Sequence, residues 1–137
     1  MKRGSIFLLL VVTLSSSVVS GQQGANDFKP FWERFRAAVI KGDKSTVASL
    51  SKFPLGMSYG IRPVKDKKEL VRRYREVFNQ QTDASKCFAV KEPEKDQANP
   101  RKFSVACPDE AGNEVVIFEF ERGRSGWRFV RVDNINE

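Results

Sequence analysis

Histidine is absent from this sequence of 137 residues, and other features that carry chemistry are scarce. Without histidine the chain lacks the usual general base near neutral pH, and its two cysteines cannot complete a usual zinc site. The G-x-S-x-G nucleophile elbow, the G-x-x-x-x-G-K-[ST] phosphate loop and the G-x-G-x-x-G dinucleotide fingerprint are missing as well. The sequence therefore predicts no catalytic residue, no metal site and no cofactor, and it leans away from an enzyme.

Long apolar runs are also lacking. The run from Ile6 to Leu14 is too short to span a bilayer. Two basic residues precede it, and a serine-rich stretch leads from it to a small residue at Gly21. This is the layout of a cleavable secretory signal. We therefore predict a signal peptide at residues 1–21, one domain at residues 22–137, no transmembrane segment and a secreted or periplasmic location.

The excess of positive charge is moderate. The whole chain carries a formal charge of +7, and the predicted mature domain has 22 Lys and Arg residues against 17 Asp and Glu residues. A basic domain can bind nucleic acid or anionic membrane, but the predicted secreted or periplasmic location argues against a nucleic-acid partner. The most basic stretch follows Asp66 and contains Lys67, Lys68, Arg72, Arg73 and Arg75. We interpret it as a solvated helix face with Glu69–Arg73 and Arg72–Glu76 ion pairs.

Aromatic residues are concentrated at the start of the predicted domain. Phe28, Phe31, Trp32, Phe35 and Val39 recur at helical spacing, which predicts an amphipathic helix from an N-cap at Asp27 to Lys41. Gly42 is a suitable left-handed residue to end this helix. Asp43 can then cap a short second helix from Lys44 to about Leu50. Phe53-Pro54-Leu55 should break the helical pattern, and Met57 to Val64 should form an edge strand or an extended connector.

A further helix is predicted over the segment DKKELVRRYREVFNQ. Asp66 and Glu69 have the spacing of a capping box. The apolar residues of its inward face follow at helical spacing: Leu70, Val71, Tyr74, Val77 and Phe78.

Cys87 and Cys107 lie in two segments with strand character, Lys86 to Lys91 and Lys102 to Cys107. Antiparallel pairing with the cysteines opposite each other would also set Ala89 against Val105 and Lys91 against Phe103. In an oxidising compartment such a pair forms a disulfide by default, and a reactive or metal-binding thiol pair is the alternative.

The clearest hairpin joins VVIFEFER to GWRFVRV around the turn GRSG. With the turn centred between Arg124 and Ser125, Phe120 faces Phe129, Glu121 faces Arg128 and Arg122 faces Trp127. One side of the hairpin, with Phe118, Phe120, Trp127 and Phe129, should pack on the helices. The other side should be partly wet and includes Ile117, Glu119, Glu121, Arg128, Val130 and Val132. Glu119 and Glu121 resemble a carboxylate pair, but Arg128 opposite Glu121 favours a cross-strand ion pair.

The order helix, short helix, extended segment, helix and long antiparallel strands resembles the nuclear transport factor 2-like (cystatin-like) superfamily. The segments FWERFRAAVIKGDKSTVASLSKFPL, LVRRYREVF and GWRFVRVDNINE are similar to uncharacterised secreted bacterial members. The resemblance implies an α+β, cone-shaped fold in which N-terminal helices pack on a curved antiparallel sheet. The Asp base and the Tyr–acid oxyanion site of ketosteroid isomerases have no match here, so no residue role is carried over.

Three functions remain open. The leading hypothesis is a non-catalytic domain that binds a small apolar ligand or a protein partner in or at the cone, because its surplus of aromatics could line a pocket. The candidate lining residues are Trp32, Tyr59, Tyr74, Phe118, Phe120 and Phe129. The same aromatics could instead fill the core. The alternatives are an isomerase- or hydrolase-type enzyme with a buried carboxylate, and a module that forms a homodimer through its exposed sheet face.

Overall fold

The computed structural model describes residues 27–136, so the predicted signal peptide at residues 1–21 lies outside the described part of the chain. The helices are α1 (Phe28–Lys41), α2 (Lys44–Ser49), α3 (Lys67–Arg72), α4 (Tyr74–Phe78) and α5 (Ala84–Val90). The strands are β1 (Ser51–Gly56), β2 (Glu94–Lys95), β3 (Lys102–Pro108), β4 (Glu114–Gly123) and β5 (Gly126–Asn134).

The strands form one open sheet in the order β1-β5-β4-β3-β2. Three of its pairs are antiparallel, but β1 runs parallel to β5, so the sheet is mixed rather than wholly antiparallel. Pro54 lies in β1, at the edge of the sheet, where a missing backbone donor is tolerated. Residues 57–64, predicted as an edge strand or an extended connector, form a connector, with a single bridge between Leu55 and Val64, and the edge strand is residues 51–56 instead.

The ends of the first helices follow from their sequence. Gly42 adopts the left-handed conformation, with φ of 69°, and ends α1 as predicted. The Asp43 carboxylate accepts the Thr46 N–H at 3.1 Å and begins α2. Asp27 occupies the predicted N-cap position of α1, but its side chain makes no capping hydrogen bond. Its carboxylate instead pairs with Arg122 of the hairpin at 3.2 Å.

The helix predicted after Asp66 is divided into α3 and α4 at Arg73. The Arg73 guanidinium donates to the carbonyl of Arg62 at 2.9 Å and to that of Pro63 at 3.2 Å, so it holds the preceding connector against the helix pair. The predicted inward residues are buried except Val71, which is exposed.

The segment from Lys86 to Lys91, predicted as a strand, is part of helix α5. The Asp83 carboxylate accepts the Lys86 N–H at 3.2 Å, and Phe88 packs on Trp32 with ring centres 5.1 Å apart. The predicted pairing of this segment with β3 is therefore wrong, because the neighbours of β3 are β4 and β2. The disulfide between Cys87 and Cys107 is nevertheless present, and it joins a helix to the sheet.

The β4–β5 hairpin has the predicted register at Phe120–Phe129, Glu121–Arg128 and Arg122–Trp127. A bulge between Glu119 and Phe120 shifts the remaining pairs by one residue, so Phe118 faces Val132. Val132, predicted on the wet side, is consequently buried in the core. The rest of that outer side is half-buried, as expected of a partly wet face.

Candidate functional site

The interior between the helices and the sheet is filled by aromatic rings. Phe35 of α1 lies 5.1 Å from Phe120 and 5.2 Å from Phe129, measured between ring centres, and Phe88 lies 5.0 Å from Phe118. We call the buried set the aromatic core: Trp32, Phe35, Phe78, Phe88, Phe118, Phe120 and Phe129. Four of the six candidate pocket residues, namely Trp32, Phe118, Phe120 and Phe129, belong to it. Their rings contact other rings, although Trp32 also lines a depression of about 320 Å³ with Phe28 and Phe103.

The two tyrosines among the candidates lie in different environments. Tyr74 is buried beside Phe78, with ring centres 4.7 Å apart, and its hydroxyl has no hydrogen-bond partner in the described chain. Burial raises the pKa of Tyr74 to about 12, with a smaller contribution from Asp43. Tyr59 is 89% exposed in the connector after β1. The structure therefore does not bring Tyr59 into the aromatic core.

Glu69 is a buried carboxylate that the sequence placed on a solvated face. Its side chain is 1% exposed and accepts the Lys65 N–H at 2.8 Å. Arg62, Arg72 and Arg73 approach the same carboxylate at 2.6, 3.3 and 3.7 Å. The Lys65 hydrogen bond and then Arg62 and Arg73 lower the pKa of Glu69 despite its burial. The Asp66–Glu69 spacing, predicted as a capping box, was the sequence signal that the Glu69 carboxylate accepts a backbone hydrogen bond. The donor is the Lys65 N–H, however, and not the Asp66 N–H.

The ion pairs of the basic helix face differ in part from those predicted. The Glu69–Arg73 pair is present, but Glu76 pairs with Arg73 at 2.7 Å rather than with Arg72. Arg72 instead pairs with Glu69. Hydrogen bonding from Arg73 lowers the pKa of Glu76. Arg73 is thus mostly buried between two carboxylates, while Lys67, Lys68, Arg72 and Arg75 are exposed as predicted.

Glu119 and Glu121 lie on the outer face of the sheet. Glu121 is opposite Arg128, as predicted, but its carboxylate pairs with Lys102 of β3 at 3.2 Å. Burial raises the pKa of Glu119, and Lys102 and Arg131 oppose that shift. The two carboxylates therefore have different surroundings and neither faces the aromatic core.

An open cleft of about 450 Å³ lies beside the disulfide. We call it the disulfide cleft. It is formed by three elements: the connection between α4 and α5, helix α5 itself, and the end of β3 with the turn after it. The residues that line it are Asn79, Gln80, Gln81, Thr82, Asp83, Lys86, Cys87, Val90, Lys91, Pro108, Asp109 and Glu110.

The apolar part of the disulfide cleft comes from Cys87, Val90 and Pro108. Val90 is 79% exposed at the end of α5, so its side chain is accessible to a ligand in the cleft. Cys87 contributes the covalently fixed wall, since its disulfide to Cys107 holds α5 on β3. None of the six candidates from the sequence lines this cleft.

Several charged groups at the rim of the disulfide cleft already have partners within the protein. Asp83 caps α5, and the Asp109 carboxylate accepts the Asn113 N–H at 2.9 Å within the β3–β4 turn. Lys91 pairs with Glu114. Amide and hydroxyl side chains supply much of the remaining polar rim. This mixture suits a ligand with an apolar body and uncharged hydrogen-bonding groups.

Sequence reasoning missed this cleft because its parts are far apart in the chain. The polar stretch NQQTDAS and the turn PDEAGN look like ordinary surface connections. Once α5 is assigned as a strand, as the sequence suggested, Val90 no longer falls at a helix end beside both connections.

Among residues 27–136, no group of acidic or cysteine side chains could hold a metal ion. Over the same range, none of the helices has both the length and the apolar character needed to cross a bilayer.

No family model matches the chain, and no curated protein sequence matches it significantly. Solved structures do resemble it. A ketosteroid isomerase-like protein from Erwinia carotovora atroseptica is 15% identical, with a TM-score of 0.48 over 85% of this chain and 98% of the other. An NTF2-like protein with a cystatin-like fold from Novosphingobium aromaticivorans is 14% identical, with a TM-score of 0.43 over 82% and 80%.

The chain itself consists of helices packed on one open, mixed five-stranded sheet. An uncharacterised cystatin-like protein from Caulobacter vibrioides is also similar, at 11% identity and a TM-score of 0.48 over 82% of this chain and 88% of the other. The α+β fold expected from the order of elements is confirmed by the helices and the five-stranded sheet of the structure. At these identities no residue role passes from the similar proteins to this chain.

Proposed function

We propose that this protein is a non-catalytic binding domain that holds a small, uncharged, mostly apolar ligand in the disulfide cleft. The observation that carries the proposal is the exposed Val90 side chain, which lies with Cys87 and Pro108 in a cleft of about 450 Å³. This volume falls within the range of small-molecule sites, which are typically about 300–1,000 Å³. A ligand that covers the exposed apolar surface of Val90 would remove it from water, which is favourable.

The titratable groups support binding rather than catalysis. A general base needs a pKa near the working pH and access to substrate. Glu69 has a lowered pKa and is covered by three arginines, while Tyr74 has a pKa of about 12 and is buried. Neither group lines the disulfide cleft. Three carboxylates line it: Asp83 and Asp109 accept hydrogen bonds that stabilise α5 and the β3–β4 turn, and Glu110 is the third.

The proposal is tested with N-phenyl-1-naphthylamine, an uncharged apolar dye whose fluorescence increases in apolar surroundings. We expect saturable binding by the mature protein and at least tenfold weaker binding by Val90→Arg. The new guanidinium would occupy part of the cleft, and an apolar ligand that covers it would remove its hydration. Ile135→Arg is the matched control, since Ile135 is also an exposed apolar residue, at 65%, but lies outside the cleft. Equal binding by all three proteins would contradict the proposal.

We also propose that the domain works in an oxidising compartment, secreted or periplasmic, after removal of residues 1–21. The basic start, the short apolar run and the small residue at Gly21 motivate this proposal. The Cys87–Cys107 disulfide supports it, because such bonds persist mainly outside the cytosol. The intact mass of protein exported by a bacterial host should correspond to a start near Gln22. A retained Met1 would contradict the signal assignment.

A further inference from the structure

A second concave region lies at the opposite end of β4 from the disulfide cleft. It surrounds the tip of the β4–β5 hairpin and consists of two depressions of about 370 and 440 Å³. The two depressions share Arg122, Gly126 and Arg128. We call them together the hairpin groove.

The shared residues lie on a free strand edge. The β1 strand first pairs with β5 at Phe129, where the Phe129 N–H donates to Leu50 O at 2.9 Å. Residues 126–128 precede that point, so within residues 27–136 their side facing away from β4 has no neighbouring strand. The Trp127 carbonyl on this edge accepts a hydrogen bond from the Arg128 guanidinium at 2.7 Å. Arg128 is therefore held along the edge at which the two depressions meet.

The charge in the hairpin groove is unbalanced. Five basic residues line it: Arg34, Lys52, Arg122, Arg124 and Arg128. Its two carboxylates are already used, since Asp27 pairs with Arg122 and Glu121 pairs with Lys102, which lies outside the groove. Among residues 27–136, Arg34, Lys52, Arg124 and Arg128 form no ion pair. Four cations thus converge on one concave surface without a counter-charge from the described chain.

The two depressions differ in chemistry. The first, with Lys52 and Arg124, also contains the hydroxyl of Ser125, which can donate to an anion, whereas the Ser51 hydroxyl already donates to the Val47 carbonyl at 2.7 Å. The second contains apolar surface from Pro30, Phe31 and Trp127. A ligand that spans both would place an anionic group among the cations and an apolar body against the start of α1.

We propose that the hairpin groove binds a phosphate monoester that carries an apolar body, with the phosphate beside Lys52, Arg124 and Arg128 and the body against Pro30 and Phe31. Several cations favour a phosphate monoester over a carboxylate, because it carries up to two charges and three acceptor oxygens. Arginine also pairs with phosphate through two parallel hydrogen bonds. This site is separate from the disulfide cleft. The ligand proposed for the hairpin groove is an anion, whereas the ligand proposed for the disulfide cleft is uncharged.

The test uses 1-naphthyl phosphate as the probe. Its binding affinity is measured by calorimetry at low and at physiological salt concentration. Inorganic phosphate lacks the apolar body and 1-naphthol lacks the charge. We expect 1-naphthyl phosphate to bind at least tenfold more tightly than either compound. We also expect its affinity to fall as the salt concentration rises. Equal affinities for 1-naphthyl phosphate and 1-naphthol would overturn the proposal.

Two double variants locate the site. Lys52→Ala/Arg124→Ala removes two exposed cations from the hairpin groove, and Lys67→Ala/Lys68→Ala removes two exposed cations from α3. Both change the net charge equally, so a general electrostatic effect would weaken binding equally. We expect a loss of at least fivefold for the first variant and less than twofold for the second. Equal losses, or no loss in the first, would overturn the proposal.

A vesicle arm distinguishes a lipid from a soluble ligand. Vesicles of phosphatidylcholine containing phosphatidic acid present the same phosphate monoester at a surface. Binding to them that is lost in Lys52→Ala/Arg124→Ala, but not in Lys67→Ala/Lys68→Ala, assigns the groove to a lipid headgroup. Binding of 1-naphthyl phosphate alone, with the same variant pattern, assigns it to a soluble ester. Absence of binding in both arms would overturn the proposal.

Discussion

Cys87 at the middle of α5 and Cys107 near the end of β3 are joined by a disulfide, with their Cα atoms 5.7 Å apart. The bond fixes a short helix on the sheet at the point where the disulfide cleft forms. Both cysteines are buried, so the pair is part of the core as well as of the cleft wall.

Removal of this disulfide should destabilise the protein without changing its fold. In the chain-entropy model, a bond that closes a loop of 20 residues contributes about 3 kcal/mol. We expect a Cys87→Ala/Cys107→Ala variant to lose about 2–4 kcal/mol in the free energy of unfolding, measured with urea. The far-ultraviolet circular dichroism should stay the same, because the aromatic core does not depend on the bond. Two free thiols in the unfolded, unreduced protein would contradict the assignment.

The aromatic core should carry much of the stability. Phe35 is fully buried, and Phe35→Ala should cost about 3–5 kcal/mol because it removes a large side chain from a filled interior. Ile40→Ala on the same helix is the control, since Ile40 is 43% exposed and should change the stability by only about 0.5 kcal/mol. Urea unfolding of both variants measures the difference. A small loss for Phe35→Ala would indicate an open interior instead.

Glu69 should make stability depend on pH in the acid range. Its pKa is lowered in the folded protein, so its contribution is complete above the usual glutamate pKa and is lost as the pH falls through the folded value. We expect Glu69→Gln to melt several degrees below the parent at pH 7, with a difference that shrinks towards pH 3. Glu92→Gln, at an exposed carboxylate paired with Arg36, should have little effect at either pH. A difference that is independent of pH would contradict this role.

Tyr74 should titrate only at strongly alkaline pH. A Tyr59→Phe variant leaves Tyr74 as the one tyrosine in the chain, so absorbance at 295 nm reports on it alone. We expect the transition near pH 12 in the folded protein. Because this acid has a raised pKa when folded, stability should fall as the pH rises from the usual tyrosine value of about 10 towards 12. A transition near pH 10 in the folded variant would show that Tyr74 is accessible.

Local patterns predicted a large part of the fold. The spacing of aromatics identified α1, Gly42 marked its end, and the alternation around Arg124 identified the β4–β5 hairpin with its register near the turn. The prediction failed where tertiary packing decides between local alternatives. The sequence around Phe88 is compatible with a strand, but in the structure Asp83 caps this segment as a helix and Trp32 packs against Phe88.

The candidate sites were less accessible from the sequence. Aromatic composition indicated a pocket, but composition cannot show whether rings line a space or contact one another. The disulfide cleft depends on the meeting of α5 with the β3–β4 turn, and the hairpin groove depends on the approach of α1 and β1 to the hairpin tip. A bulge such as that at Glu119 also leaves no clear local signal, yet it turned Val132 into the core.

The most direct test of the central claim is a nuclear magnetic resonance titration of the uniformly labelled mature protein with N-phenyl-1-naphthylamine. We expect the largest amide shift changes at residues 79–91 and 109–110, together with shifts of the Val90 methyl signals. We also expect little change at the indole of Trp32 and the ring of Phe129 in the aromatic core. The largest changes at Trp32 and Phe129, with none at Val90, would contradict the claim and place the ligand in the interior.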